Sequence, residues 1–241
     1  MGFYRGPNIV TDNLTFALDA GSERSYSGTG TTSYNIINKE TGTLNNNVSF
    51  DSTNGGFFEF DGVDDYIEFA DNDDYSFTDA VATWEAWVRP TGNAGVLEHN
   101  IMCKANYALN TREYQMQVRY GGGIYYFYLA TRHQGVGEWT GIGTSSTSAI
   151  NVNEWYHILV TSDGSGNAQM YIDSVLRQSV TNYNTTMANE GAPLVVGATI
   201  NGTSPIQEFV GDISICRLYK KHFSQAEVLQ NFNAQKSRFG S

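Results

Sequence analysis

The densest group of side chains able to do chemistry is acidic. Asp61, Asp64, Asp65, Asp71, Asp73 and Asp74 fall within one short stretch. Hard divalent cations such as Ca²⁺ are held by several carboxylate and carbonyl oxygens at once, so Asp61, Asp64 and Asp65 are candidate metal ligands. A run of this kind also occurs as the solvated, charged edge of a sheet, and both readings stay open. The same region contains Glu59-Phe-Asp61-Gly-Val-Asp64, the nearest approach to a catalytic carboxylate array. Retaining glycoside cleavage needs a nucleophile and an acid about 5–5.5 Å apart. Glu59 and Asp61 would share a strand face, but Gly62 begins a turn and takes Asp64 off it. An Asp there also falls about one methylene short of a Glu, a distance that matters in catalysis. The string reads as two polar residues at a hairpin end.

The histidines add no catalytic group. His157 has no serine or cysteine in a nucleophile setting near it, so packing is its expected role, and His99, His133 and His222 are isolated. No His/Cys spacing suits zinc. The chain is read as a non-enzyme. Aromatic rings offer a different chemistry, because sugars stack on their faces. Trp84 and Trp87 are three residues apart, so on one strand they point to opposite faces and at most one need be core. Tyr126 and Tyr128 share one face of a strand, with Tyr125 and Phe127 on the other. Trp139 lies in a Gly-rich segment expected to be a loop, with Arg132 and His133 nearby. Trp139, Arg132, Tyr126 and Tyr128 are therefore the candidate glycan-binding residues, against the alternative that a sheet simply buries such rings.

These residues need strands to position them. Leu14–Ala20, Gly56–Asp61, Asp65–Ala70, Ala82–Arg89, Asn100–Lys104, Glu113–Tyr120, Ile124–Thr131, Trp155–Thr161, Ala168–Asp173, Leu176–Val180 and Pro193–Thr199 are rich in β-branched and aromatic residues. Hairpins are expected at Gly62-Val-Asp64, Gly121-Gly-Gly123 and Asp163-Gly-Ser-Gly166. The final strand, from Phe209 to Tyr219, leads to Ser224-Gln-Ala-Glu227, a capping box. Val228, Leu229 and Phe232 then fall at helical spacing, which predicts a helix over 224–235 lying on a sheet. About a dozen short strands at this spacing predict one all-β sandwich: an arm over 1–13, the sandwich over 14–223, and a helix and tail over 224–241.

Composition narrows the partners. The net charge of −11 argues against nucleic acid, whose phosphates need clustered Lys and Arg. No run of 18 apolar residues predicts a membrane span. Met1-Gly-Phe-Tyr-Arg-Gly-Pro lacks the apolar segment of a secretory leader, so Asn13, Asn47, Asn184 and Asn201 are read as turn residues rather than glycosylation sites. Cys103 and Cys216 sit in apolar strands and are expected to be buried free thiols.

Several segments together carry a family resemblance: Leu18-Asp-Ala-Gly21, Ser25-Tyr-Ser-Gly-Thr-Gly30, Phe60-Asp-Gly-Val-Asp-Asp-Tyr66, Trp84-Glu-Ala-Trp-Val-Arg-Pro90, Trp155-Tyr-His-Ile158, Val195-Val-Gly197 and the strand–helix ending. In this order they resemble the laminin G-like jelly rolls of the concanavalin A-like superfamily. The resemblance implies a two-sheet antiparallel jelly-roll sandwich with one short C-terminal helix. Residues 33–42 depart from the family's Trp- and Gly/Asn-rich pattern, and no role is carried over to them. The family often holds a structural Ca²⁺ where an Asp after the terminal-strand Gly meets the N-terminal loops; Asp212 matches that position, with Asp19 as a further ligand.

The two ends, Arg5-Gly-Pro-Asn-Ile-Val and Asn231-Phe-Asn-Ala-Gln-Lys-Ser-Arg-Phe-Gly240, resemble single-domain members encoded by tailed phages of marine bacteria. That resemblance implies a structural protein on the virion surface, as capsid decoration or fibre, made in the host cytoplasm. Capsid or fibre proteins would be its partners and a host polysaccharide a possible ligand. The alternative is a carbohydrate-binding module or adhesin with no virion role. Phe3, Tyr4, Ile9 and Phe239 in the two tails are expected either to order against another subunit in a homo-oligomer, trimer before dimer, or to be frayed ends of a monomer.

Overall fold

Along most strands large apolar residues alternate with polar ones, and that period lets two sheets share one core. The computed structural model describes residues 8–92, 97–135, 137–144 and 149–240. Among these, eighteen strands numbered along the chain form two sheets. The first sheet runs in the order β14 (Val175–Thr181), β13 (Asn167–Ile172), β12 (Tyr156–Asp163), β7 (Val81–Pro90), β18 (Val210–Tyr219), β5 (Phe57–Asp61) and β4 (Ser49–Asp51). β1 (Leu14–Asp19) pairs with the second half of β18, on Ile215 to Tyr219, while β5 pairs with its first half. The second sheet runs β11 (Trp139–Gly143), β10 (Ile124–Arg132), β9 (Thr111–Gly121), β8 (Glu98–Asn106), β15 (Leu194–Val196), β6 (Tyr66–Phe69), β3 (Thr41–Asn45) and β2 (Thr32–Tyr34). A small hairpin of β16 (Thr199–Asn201) and β17 (Ser204–Ile206) lies beside β8. The strand ladders are antiparallel, apart from a single parallel bridge between Ile200 and Asn106.

The core lies between the sheets. Phe16, Phe58, Phe60, Trp84 and Val88 enter it from the first sheet, and Phe69, Met116, Val118, Phe127 and Leu129 from the second. Trp84 meets Phe77 edge-on at 5.2 Å, a pair worth about 0.5–1.5 kcal/mol beyond its area burial. Cys103 and Cys216 are buried free thiols.

Three expectations from the sequence are corrected. Phe57–Asp61 and Tyr66–Phe69 are not a hairpin: β5 pairs with β4 and β18, whereas β6 pairs with β3 and β15 in the other sheet. Phe58 and Phe60 enter the core from one side, and Ile67 and Phe69 from the other, so the link must cross the sandwich rim as an arch. Local bonds hold that arch. The Asp61 carboxylate accepts from the Val63 N–H at 2.8 Å, and the Asp65 carboxylate accepts from the Asp61 N–H at 3.3 Å.

Next, the segment expected to be a loop contains β11, which begins at Trp139. Finally, Phe239 is not offered to another subunit. It is buried and stacks on Trp87 at 4.2 Å. Val10, from the expected arm, is buried too, and its N–H donates to the Asn231 side chain at 2.7 Å. Phe3 and Tyr4 lie outside the described residues.

The helix forms where its capping box predicts. α1 (Gln225–Gln235) starts after Ser224, whose hydroxyl accepts from the Glu227 N–H while the Glu227 carboxylate accepts from the Ser224 N–H. It covers the outer side of the first sheet. Trp87 and Trp84 do point to opposite faces, yet both are fully buried, because α1 and the tail bring Phe232 and Phe239 onto Trp87. Beneath them sits Glu85, bonded to His157 Nε2 at 2.9 Å, Arg217 at 3.1 Å, the Tyr219 hydroxyl at 3.1 Å and Asn231 at 2.8 Å. Burial pushes the Glu85 carboxyl up, but Arg217 and the His157 and Asn231 bonds outweigh it and hold the group well below its ordinary value. His157 is therefore a packed, bonded core residue, as expected.

Candidate functional site

The outer side of the second sheet contrasts with this closed layer. On β10, Phe127 and Leu129 point into the core, so Tyr126, Tyr128 and Arg132 point out. Register places Tyr126 beside Arg119, Tyr128 beside Gln117 and Gly143, and Arg132 beside Trp139. All four residues proposed for glycan contact thus share one outer face of β10 and β11, and all four are partly exposed. From Tyr126 to Arg132 the stripe is roughly 20 Å long at about 3.3 Å per residue.

Tyr128 is the anchored member. A Cβ added at Gly141 would fall 1.8 Å from the Tyr128 hydroxyl, and one at Gly143 would fall 2.4 Å from its ring. The ring can lie across β11 only because both positions are glycine. The Arg119 guanidinium stacks on the same ring at 3.7 Å, donates to Gln117 at 2.9 Å and pairs with Glu98 at 2.7 Å. Gln117 is fully buried, and its side-chain N–H₂ lacks a hydrogen-bond partner. Arg132 is held by Glu190 at 2.6 Å and by the Asn110 carbonyl at 3.1 Å. On the β8 side, Asn100 and Gln115 are covered by the β16–β17 hairpin through Thr199, at 2.5 and 3.1 Å.

Tyr126 and Trp139 therefore flank the fixed stack that Tyr128 forms with Arg119. Reasoning from sequence missed Arg119, Gln117, Gly141 and Gly143. The alternation Gln115-Met-Gln117-Val-Arg119 and the spacing of the two glycines were the available signals.

The acidic residues divide into separate places. Asp61, Asp64 and Asp65 come together in the arch, each offering a carboxylate oxygen within 4.8 Å of the others. They face a cleft of about 290 Å³ shared with Asn46, Asn47, Ser49 and Glu59. Burial, together with the charges of Asp61 and Asp64, pushes the Asp65 carboxyl up to about 6, against the pull of the Asp61 N–H. Asp212 and Asp19 do not join them. Asp212 is paired with Arg89 at 2.5 Å, and Asp19 is clamped by both terminal nitrogens of Arg238 at 3.0 Å. An arginine pairs with each of the two carboxylates that were expected to share a metal. Glu59 and Asp61 are both exposed on β5, sharing a strand face as expected, and Glu59 accepts from the Ser49 hydroxyl at 2.6 Å.

Among proteins of curated function, none matches this sequence. Solved structures match across nearly the whole chain. The binding domain of Paraclostridial Mosquitocidal Protein 1 has a TM-score of 0.70 at 15% identity, covering 92% of this chain and 52% of that one. The botulinum neurotoxin serotype G binding domain has a TM-score of 0.67 at 18% identity, with 93% and 52% covered. The chain thus spans about half the length of these toxin domains. Domain 4 of an extracellular arabinanase from Geobacillus stearothermophilus, solved with arabinotriose, is matched nearly end to end: TM-score 0.60, 16% identity, 92% and 98% covered. At these identities the likeness is one of fold, a lectin-like jelly roll shared with binding domains. The sequence model of the concanavalin A-like lectin/glucanases superfamily matches residues 61–229, and the chain belongs to that superfamily.

Proposed function

We propose that this chain is a non-catalytic glycan-binding domain that uses the outer face of β9–β11. The observation that carries this reading is the stripe of half-exposed rings and guanidinium groups, Tyr126, Tyr128 with Arg119, and Trp139 beside Arg132, on an otherwise polar sheet face. Rings present apolar faces to the C–H side of a sugar, while amide and guanidinium donors meet its hydroxyls. The arabinanase domain solved with arabinotriose supports the ligand class. The stripe's length suits several sugar units rather than one. A net charge of −11 disfavours polyanionic glycans, so the ligand is a neutral or weakly charged polysaccharide.

The place of action in this proposal is the surface of a phage particle, as capsid decoration or fibre, where such a domain would hold the virion to host glycans. Its support is the resemblance of both chain ends to phage-encoded members of the family. Partners would then be capsid or fibre proteins and further copies of the chain. The second reading, a carbohydrate-binding module with no virion role, shares the same site and differs only in what displays it.

A glycan array probed with the full chain tests the site: binding to a defined polysaccharide, lost in Tyr126→Ala and Trp139→Ala, supports it, and absence of binding across neutral glycans refutes it. Mass spectrometry of purified particles from the source phage tests the location. Absence of the chain from particles would leave the module reading.

A further inference from the structure

We infer that the arch between β5 and β6 is a calcium site, built from Asp61, Asp64 and Asp65 and separate from the arginine-paired Asp212 and Asp19. The inference is independent of glycan binding.

Donors about 2.3–2.6 Å from one Ca²⁺ can stand at most about 5 Å apart. The three carboxylate oxygens, all within 4.8 Å of one another, meet that limit. The arch also places them without a counter-charge: among the described residues, none of the three forms an ion pair with Lys or Arg. Three neighbouring carboxylates with no cation are mutually repulsive, yet the fold holds them together through specific local bonds. Asp61 closes the turn on the Val63 N–H at 2.8 Å, and Asn46 fixes the Asp64 carbonyl at 2.8 Å.

The second observation is Asp65 itself. It is 5% exposed, and its Oδ1 is buried with no hydrogen-bond partner. Leaving a carboxylate oxygen dry and unbonded costs free energy that a native structure ordinarily avoids. A cation held by the three side chains would give the Asp65 carboxylate the partner it lacks. Asp61 and Asp64 are exposed, so water can complete the shell from the open side, and Asn46, Asn47 and Glu59 line the same cleft. An all-oxygen donor set with a flexible open side suits Ca²⁺ over zinc, which takes nitrogen and sulfur, and over the strict octahedron of Mg²⁺.

The site has a structural consequence. Because β5 belongs to one sheet and β6 to the other, an ion in the arch would tie the two sheets at the rim. Calorimetric titration of the full chain with CaCl₂, in chelator-treated buffer, tests the inference, together with thermal melts at millimolar Ca²⁺. A single saturable heat and a melting temperature that climbs with Ca²⁺ concentration are expected, since a ligand that binds only the folded state stabilises it. Asp64→Asn, which alters an exposed side chain, and Asp65→Asn should each abolish the heat and the shift, whereas Asp212→Asn should keep both. Superimposable wild-type melts across millimolar Ca²⁺ would overturn the site. So would equal heat from MgCl₂, or binding lost in Asp212→Asn but kept in Asp64→Asn.

Discussion

Both sheets carry aromatic rings and arginines on the side away from the core, but the two outer faces end differently. On the first sheet Trp87 lies under Phe232 and Phe239, and Glu85 is ringed by Arg217, His157, Tyr219 and Asn231 with no contact to solvent. On the second, Tyr126, Tyr128 and Trp139 remain partly open, and among the described residues a short hairpin roofs the β8 side. The residue types are alike. What differs is whether a later part of the chain returns to cover them: α1 and its tail return over β7, β12 and β18, whereas the β16–β17 hairpin reaches no farther than β8 and β9. Rings on a sheet surface therefore point to a ligand only after the covering segments are located. On that basis the first face is a second core, and the second keeps its rings partly exposed.

The sharpest break of this contrast is at Glu85. Glu85→Gln leaves Arg217 buried without its counter-ion, which typically costs about 3–5 kcal/mol, read as a lower urea midpoint; glycan binding by the folded fraction should be unchanged. The loss should depend on pH. The folded-state Glu85 carboxyl lies below its unfolded value, so its stabilisation is complete above the unfolded pKa of about 4.3. It disappears as pH falls toward the folded value. The gap between wild type and variant should accordingly be full at neutral pH and narrow in acid; a gap constant from neutral pH to well below pH 4 would contradict the ion network.

Next in size is Phe239→Ala. Removing a buried ring that stacks on Trp87 at 4.2 Å should cost roughly 2 kcal/mol, seen in the melting temperature, with no change in molecular mass by light scattering. A change in oligomeric state instead would mean that the tail serves an interface, as its sequence alone suggested.

How far the two faces could be read in the sequence follows from what each depends on. The capping box at Ser224 and Glu227 and the run from Phe209 to Tyr219 are local signals, and both elements formed where expected. So did the hairpins at Gly121-Gly-Gly123 and Asp163-Gly-Ser-Gly166. The arch at 62–65 was misread because a turn between two strands looks the same whether they pair or part, and only the partners of β5 and β6 decide. β11 went unseen because two of the five residues in Trp139-Thr-Gly-Ile-Gly143 are glycine, which is depleted in strands; those glycines are there for the Tyr128 ring. The shared face of Tyr126, Tyr128 and Arg132 was legible from the period of two. The arginines that take Asp19 and Asp212 were not, since Arg238 lies 219 residues from Asp19 and Arg89 lies 123 from Asp212.

A smaller effect is expected at Gly141. The methyl of Gly141→Ala would collide with the Tyr128 hydroxyl, but that partly exposed side chain can swing aside. The stability cost should stay near 1 kcal/mol, the low end for added core volume. Affinity for the array-identified glycan should fall further than stability does, because the Tyr128–Arg119 stack is displaced. Equal affinity in wild type and variant would remove that stack from the binding surface.

The smallest effect on the fold, and the one that speaks most directly to the open face, belongs to Tyr126 and Trp139. Each is half-buried and takes no part in the main core, so truncation to Ala should move stability by no more than about 0.5 kcal/mol, as for surface substitutions generally. If the rings are sugar platforms, each should still lower glycan affinity about tenfold, roughly 1.4 kcal/mol. The two positions lie at opposite ends of the stripe, far enough apart for their losses to add in the double variant. Additive losses would indicate one extended glycan lying along β10. Loss at only one position would confine the ligand to that end. Unchanged affinity in the double variant, with unchanged melting, would make the second face as indifferent to sugars as the first.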